Sequence, residues 1–286
     1  MANLKEIRNR ITSIGSTMKI TSAMKMVSAA KLKKAQDAIV AMRPYSNKLT
    51  ELLQNLSATL DAETGGVYAE QRAVSKVLLV VITSNRGLCG GFNSSIIKKV
   101  RQLKATQYAD KEVTLLTVGK KGNDILSKEF DLHGNRNDIF DNLTFDNVSE
   151  LASEIMEAFS AGSYDKVELV YNSFKNAATQ IVMHEAYLPL EATEQDANAQ
   201  ADYIFEPSKE EIVTELIPKS LKMQLFKAVR DSYAGEHGAR MTAMHKATDN
   251  AKELQDELLL TYNKARQAAI TGEILEIVGG AEALNA

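Results

Sequence analysis

The apolar positions at the two ends of the chain recur with the rhythm of a two-helix seam. Towards the C-terminus, Ala247, Ala251, Leu254, Leu258, Thr261, Ala265, Ala268, Gly272 and Leu275 are separated by alternating steps of four and three. That is a heptad repeat. Residues 219–286 contain no proline, so the pattern predicts one helix, roughly 100 Å long at 1.5 Å per residue. Such a helix cannot hide its seam inside a compact domain and needs a partner. The other end of the chain supplies one. Leu4, Ile7, Ile11, Ile14 and Met18 follow the same spacing, and after a patch rich in Ala, Ser, Thr and Met the stripe returns at Leu32, Ala35, Ile39 and Met42. Leu49, Leu52, Leu53, Leu56 and Leu60 complete it, and Pro44 is the only proline among the first 60 residues. The economical arrangement is an antiparallel pair of chain-terminal helices joined by everything between them. An ordinary bundle is the alternative, but the sequence offers no third helix of comparable length.

The middle of the chain changes rhythm. Residues 77–82 form a continuous apolar run ending at Thr83-Ser84-Asn85, followed by Gly87, Gly90 and Gly91, and then by Asn93-Ser94-Ser95 ahead of Ile96, Ile97 and Val100. A buried strand, a tight loop and a capped helix fit this order. Residues 113–118 read as a second strand leading into a helix at 123–129. Residues 148–159 read as a further helix before a strand at 166–171. Residues 179–190 read as one more strand, with an antiparallel position at an edge open to it. Alternation of this kind predicts a parallel sheet. The fold class is therefore α/β: a central Rossmann-like domain (75–190) between a first coiled-coil helix (1–60) and a last one (219–286). A polar linker covers 191–218.

Composition narrows the function classes. Of the 286 residues, 44% are hydrophobic and 25% charged, as in soluble globular proteins, and no apolar run reaches the length of a membrane span. Lys5, Glu6 and Arg8 fall inside the first heptad, which argues against a signal peptide. Residues 1–60 hold ten Lys and Arg against three acids, so this helix is basic while the rest of the chain is acidic. A basic helix suits an acidic partner surface or a solvated face. Nucleic acid is disfavoured, because no aromatic residue falls among positions 1–44 to stack on a base.

Candidate chemistry is thin. The loop Gly87-Leu88-Cys89-Gly90-Gly91-Phe92 follows a strand and precedes a helix, where backbone amides can cradle phosphate. It matches neither the dinucleotide fingerprint nor the P-loop, so a tight strand-to-helix turn is the expectation. The four histidines, His133, His184, His237 and His245, include no pair at metal-clamping spacing. Cys89 has no histidine nearby in sequence and is expected to be a small buried residue. No catalytic constellation, cofactor site or metal site is assembled. Beyond Glu273 the helix is apolar on several sides, with Ile274, Leu275, Ile277, Val278, Ala281, Ala283 and Leu284 and no Lys or Arg. A helix apolar all round needs to be enclosed.

Three segments carry a family resemblance. The C-terminal run from Ile270 to Ala283, with Thr271, Gly272, Glu273, Glu276, Gly279 and Gly280, is similar to the signature of the gamma subunits of the rotary F-type ATP synthases. Lys19-Ile20-Thr21-Ser22-Ala23-Met24-Lys25-Met26-Val27 with the later Arg43-Pro44-Tyr45 resembles that family's opening helix, and Ser84-Asn85-Arg86-Gly87-Leu88-Cys89-Gly90 its central loop. The resemblance covers essentially the whole chain. It implies a non-catalytic central-stalk rotor, present in one copy, that couples proton-driven rotation of the c-subunit ring to ATP synthesis or hydrolysis at the beta subunits. Its implied partners are three alpha and three beta subunits, an epsilon subunit and the c ring, with membrane contact through the c ring alone. Carried over by position, Met24, Arg240, Gln267, Thr271 and Glu273, with the apolar Leu275, Ile277 and Val278, would face the alpha/beta ring. Tyr203, Phe205 and Glu206, in the segment Asp202-Tyr203-Ile204-Phe205-Glu206-Pro207, would form the foot against the c ring and epsilon. Asn85 stands where many members have Asp, and the chloroplast-type cysteine insert is missing. Without a transit sequence, the implied location is the cytoplasmic face of a bacterial inner membrane. Two other classes stay open: a nucleotide-binding α/β protein with coiled-coil arms, and a static coiled-coil scaffold.

Overall fold

The structure is a computed structural model and describes residues 4–57, 66–190 and 209–285. It divides into two compact units, one formed by Met1–Ser28 with Met241–Ala286 and the other by Ala29–Arg240. The division falls inside the two long helices, α1 (Leu4–Ser57) and α5 (Lys209–Asn285), and not at their ends. Residues 29–57 and 209–240 belong to the same unit as the sheet.

In the first unit the two helices run antiparallel. The Arg8 guanidinium donates to the Tyr262 hydroxyl at 2.5 Å, the Thr21 and Thr248 hydroxyls meet at 2.8 Å, and Lys25 Nζ reaches His245 Nδ1 at 3.5 Å. Partners descend on α5 as they ascend on α1. The inward stripe on α1 passes straight through the Ala, Ser, Thr and Met patch: Met18 is followed by buried Thr21, half-buried Lys25 and buried Ser28 before Leu32, with the three-four rhythm unbroken. Thr21 and Ser28 tolerate burial because their hydroxyls also donate to the carbonyls of Met18 and Met24 one turn back.

On α5 the seam is half the expected one. Ala251, Leu258, Ala265 and Gly272 face inward, but the alternate positions are Thr248, Gln255, Tyr262 and Ala269, each one residue later than expected. Leu254, Thr261, Ala268 and Leu275 turn outward. A three-four and a four-three repeat share every seventh residue, so apolar spacing cannot choose between them. The facing helix chooses: Gly15 leaves room for the Gln255 side chain, whose Nε2 lies 3.0 Å from where a Cβ on Gly15 would stand, and Arg8 engages Tyr262.

The second unit is built on a five-stranded sheet, ordered β3-β2-β1-β4-β5. Strands β1 (Lys76–Ile82), β2 (Glu112–Val118), β3 (Asp131–Asn135) and β4 (Lys166–Phe174) are parallel, and β5 (Gln180–Leu188) is antiparallel at one edge. Residues 77–82 are completely buried, because β1 is central and covered on both faces. Leu78, Val80 and Ile82 point into a core shared with α4 (Phe145–Ser160) and with the α5 side chains Leu221, Leu225 and Val229. Val77, Leu79 and Val81 point the other way, into a core with Ile96, Ile97, Val100 and Leu103 of α2 (Phe92–Thr106) and Leu126 of α3 (Lys120–Leu126). Thr144 caps α4 by accepting from the Asn147 amide.

Three local expectations change. Strand β3 has the polar sequence DLHGN, which carries no apolar signal because an edge strand is held by its ladder to β2. Helix α3 begins at Lys120, directly after Gly119, and not at Asn123. Helix α5 begins at Lys209 and passes through Pro218. An interior proline costs about 3 kcal/mol, and the burial of Ile217 and Leu221 on either side opposes that cost.

Candidate functional site

Sequence singled out two places: the glycine loop and the apolar end of the last helix. The loop leaves β1 at Thr83 and Ser84, both fully buried. The Ser84 amide donates to Asn93 Oδ1 at 3.0 Å and its hydroxyl to the Arg86 carbonyl at 2.7 Å, while Asn93 Nδ2 donates back to Ser84 Oγ at 2.8 Å. Asn85 bridges two neighbouring segments, donating to the Asn137 carbonyl at 2.8 Å and accepting from the Lys120 amide at 3.0 Å. This use of both ends suits an amide rather than a carboxylate, which could only accept. Leu88 and Gly90 take positive φ, 62° and 58°, and close the turn into α2. Cys89 is buried beneath, and that burial pushes its thiol pKa up.

In an open sheet wound in both directions, ligands enter the crevice at the strands' C-terminal ends where the winding reverses. Here that point lies between β1 and β4, and α5 lies against it. A Cβ on Gly235 would stand 3.2 Å from Gln180 Cγ, 3.4 Å from the Phe92 ring and 3.7 Å from the Asn172 carbonyl oxygen. One on Gly238 would stand 3.1 Å from Ala177 Cα. The Arg240 guanidinium donates to the carbonyls of Arg86 at 2.8 Å and Gly87 at 3.2 Å and pairs with Glu236 at 2.7 Å. Two carbonyls of the loop, those of Arg86 and Gly87, are thus engaged by the chain's own helix.

The same stretch of α5 buries an ionisable cluster. Glu236 and His237 are 6% and 5% exposed. Burial raises the Glu236 pKa against the opposing pull of Arg240. Burial, helped by Arg240 and Lys31, holds His237 down at about 3, so it is neutral at physiological pH. Its ring meets Tyr233 edge-on at 4.5 Å, and its Nε2 has no hydrogen-bond partner among the described residues. Gly235, Glu236 and Gly238 match no site motif in the sequence. The signal available was the pair of glycines three apart on a long helix, which marks close backbone approach.

The expected subunit-facing residues separate into groups. Met24 is half-buried on α1, and Gln267, Thr271 and Glu273 are exposed. Leu275, Ile277 and Val278 are 65%, 71% and 50% exposed, in a tail that also presents Ile270 and Ile274. Arg240 differs from expectation: it is 6% exposed, and its guanidinium is held within its own unit because two carbonyls and Glu236 surround it. Tyr203, Phe205 and Glu206 lie outside the described residues. Among the described residues no three His, Cys, Asp or Glu side chains are grouped to hold a metal, and no helix is long and apolar enough to cross a membrane.

Comparison with known proteins agrees along the whole chain. Residues 3–284 match the family described as ATP synthase. The ATP synthase gamma chain of Flavobacterium johnsoniae is 70% identical over 286 residues, and that of Christiangramia forsetii 66% over 285, each covering all of both chains. A central-stalk chain of the Tetrahymena thermophila mitochondrial ATP synthase is similar in structure, with a TM-score of 0.61 and 28% identity over 80% of this chain and 99% of that one. A rotor chain of the Euglena gracilis enzyme shares the fold at a TM-score of 0.68 and 22% identity, covering 93% of this chain and 98% of that one. The chain belongs to the ATP synthase gamma-chain family.

Proposed function

We propose that this chain is the central-stalk rotor of a bacterial F-type ATP synthase, coupling rotation of a membrane c ring to ATP synthesis or hydrolysis at beta subunits. One observation carries the reading: end-to-end correspondence with bacterial ATP synthase gamma chains, at 70% identity with nothing of either chain left over. The exposed apolar tail supports it physically. Ile270, Ile274, Leu275, Ile277 and Val278 are each about half exposed or more on a helix with no positive charge beyond residue 273. Such a surface is costly in water and needs a sleeve. An apolar sleeve also makes few directional bonds to resist turning.

In this reading the chain performs no covalent chemistry. Its asymmetry biases distant sites through different conformations. Met24, Gln267, Thr271, Glu273, Leu275, Ile277 and Val278 face a ring of three alpha and three beta subunits. Tyr203, Phe205 and Glu206 face the c ring and an epsilon subunit. The complex sits on the cytoplasmic face of the inner membrane, with the chain peripheral to the bilayer. The glycine loop is ill suited to bind a nucleotide, because α5 occupies the crevice such a ligand would enter. Copurification tests the assignment: one copy should emerge with three alpha and three beta chains. A free monomer with its own nucleotide-dependent activity would overturn it.

A further inference from the structure

Helix α5 is one continuous helix from Lys209 to Asn285, and its residues 216–240 are docked on the sheet of the second unit. Two contacts hold it at the end of that stretch. Gly235 and Gly238 form one contact, where missing side chains let the helix backbone meet Phe92, Gln180, Ala177 and the end of β4. Arg240 and Glu236 form another. Arg240 Nε and Nη2 donate to the Gly87 carbonyl, each at 3.2 Å, and Nη2 also to the Arg86 carbonyl at 2.8 Å; Nη1 pairs with Glu236 Oε1 at 2.7 Å. At 100° per residue, Arg240 lies about 140° around the helix from Gly235. A helix held along one face can roll about its axis; a helix held on two well-separated faces cannot.

The second contact is also made of the right material. Arg240 and Glu236 are both 6% exposed, so their bonds are charge-assisted and shielded from water. The carbonyls they hold belong to a loop already tied to the sheet. Ser84 and Asn93 hold each other, and Asn85 bonds to Asn137 and Lys120. A load on Arg240 therefore passes through the loop into β1 and its neighbours.

We propose that Arg240, set by Glu236, is the positioning residue of a torque joint: it locks the end of the docked stretch of α5, residues 216–240, to the loop after β1, so that this stretch and the sheet move together. This assigns Arg240 a task inside the rotor instead of at the alpha/beta ring. The proposal rests on the rotor reading, and its test is built so that the two fail differently. A lysine cannot replace the guanidinium, because one ammonium cannot hold two carbonyls and a carboxylate in a fixed fork.

The test uses the assembled complex carrying Arg240→Met or Arg240→Lys. Hydrogen exchange at residues 84–91 should accelerate about tenfold or more in Arg240→Met, while β1 amides keep their protection. In single complexes paused on a surface, a bead on the second unit should show a wider angular spread in both variants, less so for Arg240→Lys. Glu236→Gln should widen it in the same direction, with little further effect when combined with Arg240→Met. If Arg240→Met does not assemble, Arg240→Lys decides by the same two readouts. A lower melting temperature with unchanged angular spread would mean a purely structural role and would overturn the proposal. Unchanged loop exchange would overturn it too. If the unsubstituted chain shows no rotation at all, the rotor reading has failed, not the joint.

Discussion

Gly119 sits at φ 110°, and a Cβ built on it would stand 2.2 Å from the Thr83 carbonyl oxygen. Both faults are in backbone, which cannot swing aside. Gly119→Ala should therefore destabilise the sheet unit by about 3 kcal/mol or more, read as a lower denaturation midpoint of the full chain. His237 gives a second residue-level test, this time with pH. Its folded pKa is depressed to about 3 from an ordinary 6.5 by burial and the nearby cations Arg240 and Lys31. The unfolded chain thus takes up a proton between those values and the folded chain does not, so His237 lowers stability as pH falls below about 6.5. Glu236, raised by burial, works in the opposite direction. The comparison must therefore be between variants. His237→Phe should keep more of its pH 7 stability at pH 5 than the unsubstituted chain does in chemical denaturation. Equal losses in the two would count against a buried neutral imidazole.

At the scale of elements, periodicity gave both long helices and the succession along the chain of β1, β2, β4 and β5, because each rests on burying an apolar face, while the order in the sheet and the antiparallel edge come from the strand pairing. It could not see β3, whose residues make edge hydrogen bonds and little core. Nor could it see Thr21, Lys25 and Ser28 carrying the seam across a polar patch, since their fit depends on the facing Thr248 and His245. The displaced half of the α5 seam has the same cause. Leu254 looks inward by composition, yet it is 46% exposed while Ala251 is 8% exposed. Ala251→Asp should destabilise the helix pair by on the order of 2 kcal/mol, whereas Leu254→Gln should change it by under about 0.5 kcal/mol, followed by loss of helical circular dichroism. The reverse order would restore the seam that spacing alone suggests. The site was less legible than the fold. The glycine loop could be read as a turn, but Arg240 as its fastening could not, because the two are far apart in sequence and meet only when α5 docks.

At the scale of the whole molecule, a rotor couples only if its contact surfaces slide and its shaft does not yield. Ile20, Met26 and Val27 are each more than half exposed on α1, around half-buried Met24, which leaves a smooth, adaptable surface. A Met24→Lys substitution puts a charge there that can bond to a neighbouring carboxylate at one angle of rotation and not another. Fewer protons should be pumped per ATP hydrolysed in membrane vesicles carrying it. A ratio equal to that of the unsubstituted complex would argue that Met24 does not lie at a moving contact.

Rotation of this chain within its complex separates a rotor from a scaffold. It is tested most directly by anchoring the catalytic ring to a surface, replacing exposed Lys98 on α2 with cysteine, and attaching a bead there. Cys89 is buried and should leave the label specific to the new site. A rotor should turn steadily in one direction when ATP is supplied and stop when ATP is withdrawn. A bead that only fluctuates about a fixed angle, while the same complexes hydrolyse ATP, would identify a static scaffold and contradict the account.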